Sequence, residues 1–116
     1  MTYLVEEHKN QGNHLFTFKD LKNIDINAAH RVKAEIKGYM DNHDNHVIID
    51  LDGIEFIDST GFGALISILK TCKEKDKKLV LINVKSEILE LMDLMQLLQV
   101  FDVKESLQDG IEFVKA

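Results

Sequence analysis

The sequence predicts an α/β fold, a mixed and mostly parallel sheet of four or five strands with about four helices. Two short, continuous apolar runs, HVIIDL (46–51) and KLVLINV (78–84), read as strands buried on both faces, the pattern of parallel sheets. Longer segments with apolar residues at helical spacing lie between and after them, so successive strands need crossover connections. Near the start, candidate strands at 3–7 and 14–18 flank Gly12-Asn13, a turn signal, and this hairpin makes the sheet mixed.

After the hairpin, Ala28, Ala29, Val32, Ile36, Tyr39 and Met40 recur at helical spacing, predicting a helix over 26–41. The strand at 47–51 is expected inside the sheet. In IEFIDSTGFGALISILK (54–70) an apolar run stops at Asp58, and a helix is expected over 61–75. Phe62, Leu65, Ile66, Leu69 and Cys72 fall on one stripe of it, expected to pack on the sheet through Leu65, Ile66 and Leu69, with Cys72 a small core residue. A second interior strand follows at 79–83. Ser86 can cap a helix over 87–98, VFDV (100–103) reads as a last short strand, and 105–115 as a closing helix.

At 116 residues the chain suits one domain, 1–116, with one core. Fourteen basic residues against 20 acidic give a formal charge of −6, which argues against nucleic acid and leaves proteins or small molecules as partners. The local basic run KTCKEKDKK (70–78) reads as a solvated helix end. No apolar stretch approaches the ~18 to 20 residues that span a bilayer. The start, MTYLVEEHKN, carries acids where a signal peptide would be basic. With a lone cysteine no internal disulfide can form, and a cytoplasmic location is expected.

The strand-to-helix junction holds the chemistry-capable groups. Asp58, Ser59 or Thr60 could cap the helix, and Gly61 and Gly63 permit close backbone approach. The same helix start would favour a phosphate. Phe62, set between two glycines, is expected to be partly exposed. Catalytic readings fare poorly. A nucleophile elbow needs a glycine where Ile57 stands, and a P-loop needs Lys-Ser/Thr where Ala64-Leu65 stand. In an aspartic-protease loop Gly61 would come sooner after Asp58. No enzymatic activity, cofactor or metal is expected; His43 and His46, in DNHDNH, read as loop residues. A receiver domain phosphorylated on aspartate is a rival, with Glu6-Glu7 as acidic pair, Asp50 or Asp52 as acceptor and Lys104 as its lysine. Against it, HLFTF (14–18) looks like a hairpin partner where a receiver has a helix, and the chain has no proline to follow that lysine.

VIIDLDGIEFIDSTGFGALISILKTCKEKDKKLVLINVKSEILELMDLMQLLQVFDV (47–103) resembles the STAS family, specifically the anti-sigma factor antagonists of bacterial partner-switching systems. The D-S-T-G-x-G block is its specific motif, and IDINAAHRVKAEI (24–36) is similar to the family's early D-x-x-x-A segment, with Asp25 and Ala29. The resemblance implies a STAS domain phosphorylated on Ser59, with Thr60 the secondary candidate. It implies a partner-binding surface of Asp25, Asp58, Ser59, Thr60, Gly61, Phe62 and Gly63. The implied partners are an anti-sigma factor that is itself a GHKL-type serine kinase, and a PP2C-type phosphatase that reverses the modification. Unmodified, such an antagonist holds the anti-sigma factor and frees the sigma factor. The same family also supplies adaptor subunits of transport and other signalling complexes, which is the alternative. Two positions depart from the family pattern. Lys22 replaces a usual glycine, so the end of the second strand is expected to be extended or irregular. Gln96 replaces another, so the third helix is expected to run on.

Overall fold

The two apolar runs form the centre of the sheet. In the computed structural model, which describes residues 2–41 and 45–116, β1 (Val5–Asn10) and β2 (Asn13–Phe18) open the chain. A short strand β3 (Asn23–Ile24), helix α1 (Ala29–Met40), strand β4 (Val47–Asp50) and strand β5 (Phe56–Ile57) follow. Then come α2 (Ser59–Glu74), β6 (Leu79–Ile82), α3 (Ser86–Leu94), a 3₁₀ turn (Leu97–Gln99), β7 (Asp102–Lys104) and α4 (Leu107–Lys115). The main sheet has the order β1-β2-β4-β6-β7; β1 is antiparallel to β2 and the other pairs are parallel. The expected interior strands are therefore β4 and β6, in register from Val47↔Leu79 to Asp50↔Ile82.

Strand alternation explains why the centres of these runs, Val47–Ile49 and Leu79–Ile82, are apolar at every position. Val47, Ile49, Leu79 and Leu81 join the larger core with α1, α2 and α3. Ile48, Val80 and Ile82 point the other way and pack against Ile111 and Val114 of α4. Gly110 lets α4 lie close to the sheet, since a Cβ there would stand 3.0 Å from the Ile82 Cγ2. On α2 the buried face is wider than a single stripe. Leu65, Leu69 and Cys72 are buried as expected of core residues, Phe62 joins them against expectation, and Ile68 is buried where Ile66 is only partly covered. Burial pushes the Cys72 thiol up to about 12, so it stays protonated.

Several boundaries differ from expectation. The hairpin turns on Gln11 and Gly12, both with positive φ (51° and 82°), so Asn13 already belongs to β2. Positive φ at both central positions is what a type I′ two-residue hairpin loop requires, and glycine meets it without strain. The third helix does not run on to residue 98. It stops at Leu94, and Gln96 takes a left-handed conformation at φ 60°. That conformation costs a non-glycine residue about 1 to 2 kcal/mol, offset here because the reversal turns Leu97 and Phe101 into the core. The segment after β2 is irregular, as Lys22 implied: Asp20 has φ 51°, and the Lys22 carbonyl accepts from Glu55 N at 2.7 Å. That bond leads into a parallel two-stranded ribbon, β3 with β5, paired Asn23↔Phe56 and Ile24↔Ile57.

Among the described residues no helix is long and apolar enough to cross a membrane. No group of His, Cys, Asp and Glu among them could hold a metal ion. His43 lies outside the described residues. His46 is engaged within the fold, its Nδ1 accepting from the Lys78 N–H at 3.0 Å.

Candidate functional site

The β3–β5 ribbon brings two distant segments together, 24–27 and 57–60. Asp58 N donates to the Ile24 carbonyl at 3.3 Å, continuing the ribbon by one step. The chain then turns into α2, and Asp58 is its N-cap, in extended conformation. Its carboxylate Oδ1 accepts the Gly61 N–H at 2.9 Å and the Thr60 hydroxyl. The other oxygen, Oδ2, accepts the Ile26 N–H at 3.1 Å, reaching across to the loop before α1. The Thr60 hydroxyl first, then the Gly61 amide and the bond from Ile26, hold the Asp58 carboxyl below the usual carboxylate range. Asp58 is thus ionised, with both oxygens engaged.

Asp25 performs the matching task on the other segment. Its Oδ1 accepts from Asn27 N at 3.0 Å, and its carbonyl accepts from Ala28 N and Ala29 N, turning the chain into α1. The D-x-x-x-A and D-S-T-G segments therefore meet, as a shared site requires. Ser59, at the first helical position, is exposed, and its hydroxyl has no hydrogen-bond partner among the described residues. Thr60 is exposed too, but its hydroxyl is committed to Asp58.

The two glycines do different things. A Cβ on Gly61 would stand 2.0 Å from the Ile24 carbonyl oxygen and 2.7 Å from the Ile57 Cγ2, so only glycine lets α2 start this close to the ribbon. Gly63 faces open space, with nothing within 4 Å of a Cβ built there. Phe62 departs from the expected exposure. It is only 2% exposed and belongs to the main core. The close seating of Gly61 draws the first turn onto the ribbon, which turns the next side chain inward. The exposed apolar groups at this end are instead Ile26 (73%) and Phe56 (51%), on the loop and strand that flank Asp58. No periodicity marks them, since Phe56 lies in a two-residue strand and Ile26 in the loop after another.

With the ribbon and its D-S-T-G turn in place, a family model described as the STAS domain matches residues 8–110. The chain belongs to the STAS domain family. An anti-sigma-B factor antagonist from Listeria monocytogenes is 25% identical over 81 residues, covering 70% of this chain and 71% of the relative. The solved structure of an anti-sigma-factor antagonist (STAS) domain protein from Planctomyces limnophilus superposes with a TM-score of 0.88 at 16% identity, covering 97% of this chain and 98% of that one. The Bacillus cell fate determinant SpoIIAA, in its phosphorylated form, gives a TM-score of 0.68 at 13% identity over 95% of this chain and 98% of its own. The fold is that of the anti-sigma factor antagonists. This STAS arrangement excludes the receiver reading, because β1 is followed by a hairpin partner and not a helix. Asp50, one of its two candidate acceptors, accepts from Asp52 N and Asn83 Nδ2 at 2.9 and 3.0 Å.

Proposed function

We propose that this STAS protein is a phosphorylation-switched antagonist of an anti-sigma factor. Unmodified, it binds an anti-sigma factor that is a GHKL-type serine kinase, and it releases that partner once Ser59 is phosphorylated. A PP2C-type phosphatase restores the binding form, and the outcome regulates sigma-factor-dependent transcription in the cytoplasm. The chain itself catalyses nothing in this reading and needs no cofactor. The observation that carries it is the free, exposed Ser59 hydroxyl at the start of α2, beside a carboxylate both of whose oxygens are engaged by other donors.

In the transfer, the Ser59 Oγ bonds the γ-phosphorus of ATP as the bond to the β,γ-bridging oxygen breaks. ADP leaves, and the hydroxyl proton passes to the kinase. The helix N-terminus tolerates the added charge of about −1.5 to −2. A partner surface does not, because it must now desolvate that charge next to Asp58 and Asp25. The contact surface comprises Asp25, Asp58, Ser59, Thr60 and Gly63, with Ile26 and Phe56 as apolar anchors. Gly61 and Phe62 serve it from beneath, through the fold.

The test is incubation with the kinase and ATP, with mass spectrometry, followed by calorimetric titration of variants. Wild type should gain one phosphate on Ser59, and Ser59→Ala should gain none while still binding. Ser59→Asp should bind at least tenfold more weakly, about 1.4 kcal/mol. Unchanged affinity in Ser59→Asp would sink the switch.

A further inference from the structure

Two hydroxyls stand side by side at the start of α2, and the structure makes them chemically unequal. Thr60 Oγ1 donates to Asp58 Oδ1, which also holds the Gly61 N–H, while Oδ2 takes the Ile26 N–H from the loop before α1. The Ser59 hydroxyl is bonded to none of these groups. We infer that Thr60 is a positioning residue: its hydroxyl sets the plane of the Asp58 carboxylate so that the second oxygen reaches Ile26, and it is itself withheld from phosphorylation, leaving Ser59 the single acceptor.

A carboxylate capped by Gly61 N alone can swing about its last torsion, which is broad. A second donor to the same oxygen narrows that swing and aims Oδ2 across the gap between α2 and the β3 loop. Hydrogen bonds to an ionised acceptor are about twice as strong as neutral ones, so the Thr60 proton is firmly placed. For Thr60 to accept a phosphoryl group that bond must break, and the incoming phosphate must approach the carboxylate it leaves bare. Ser59 has no such bond to break. The link also tethers Ile26, the most exposed of the two apolar groups flanking Asp58, to the first turn of the modified helix.

The acceptor half of this inference rests on the proposed switching; the positioning half does not, and it is tested on the protein alone. The Asp58 carboxyl is followed by carbon-detected NMR titration, and Ile26 by amide hydrogen exchange, in wild type, Thr60→Val and Thr60→Ser. Wild type and Thr60→Ser should titrate below the ordinary aspartate value of about 3.9. Thr60→Val should move up towards it and exchange the Ile26 amide about tenfold faster, since a weakened hydrogen bond opens more often. A Thr60→Val protein with the wild-type titration and exchange overturns the positioning role. With kinase and ATP, Ser59→Ala should carry no phosphate on Thr60, and label appearing there overturns the acceptor role. A wild type that accepts no phosphate at all counts against the switch itself, and the titration still decides the role of Thr60.

Discussion

Gly63 lies in the second turn of α2, exposed, with no atom within 4 Å of where a Cβ would stand. Glycine inside a helix is about 0.8 to 1.0 kcal/mol less favourable than alanine, and no close packing at this site offsets that. Gly63→Ala should therefore raise the unfolding free energy by roughly 0.5 to 1 kcal/mol. Equilibrium urea denaturation reads the change as a higher midpoint at unchanged slope. Gly61→Ala is the internal control, with the opposite sign. Its Cβ would stand 2.0 Å from a backbone carbonyl, so β3 or the helix start must shift. Overpacking of that kind typically costs about 1 to 3 kcal/mol. A neutral or destabilised Gly63→Ala would refute the argument, because it would mean the fold uses the glycine. If the variant is stabilised, the demand for a bare backbone comes from outside the fold. Gly63 follows Ser59 by one turn, so the same better-folded variant should then bind the anti-sigma factor less tightly.

Phe62→Ala should cost about 3 to 5 kcal/mol of stability, the usual loss for a large aromatic core side chain; a loss under ~1 kcal/mol would return Phe62 to the surface. Stability should also respond to pH through His46. Burial, then the charges of Lys77 and Lys78, lower its pKa from the ordinary 6.5, and its Nδ1 must stay unprotonated to accept from Lys78. The unfolded chain then binds the extra proton first, so this contribution is complete above pH ~6.5 and is lost as pH falls towards the lower folded value. Urea midpoints between pH 7.5 and 5 should fall more in wild type than in His46→Ala; parallel curves would remove His46 from the account.

Elements whose residues are buried on both faces, or along a long helical stripe, were legible in the sequence. The strands at 47–51 and 79–83 carry continuous apolar stretches, Val47–Ile49 and Leu79–Ile82, because α4 covers one face and α1 to α3 the other. The β3–β5 ribbon left no such signal, since two-residue strands are too short for any period to show. Asp58 as a cap was among three readings of its neighbourhood, and local chemistry alone could not choose between it, Ser59 and Thr60. The choice is made by Ile26, 32 positions away, which occupies the second carboxylate oxygen. Phe62 was misplaced for a related reason. Its burial depends on Gly61 seating against the Ile24 carbonyl, a contact between segments that sequence neighbours do not encode. Gln96 misled because a glycine-free helix end can still reverse when apolar residues beyond it have a core to enter.

The group that holds the helix and the group open to modification are different residues. Asp58 supplies the cap, and Ser59 stands one position inside with its hydroxyl unused. Folding accordingly places no demand on Ser59. A chain that loses that hydroxyl would express, melt and crystallise like its parent, and would pass every quality check a cell applies to unfolded protein. In the proposed switch, only the binding partner would register the difference. The residue at this position is therefore free to change with the use of the surface, unburdened by the architecture beneath it.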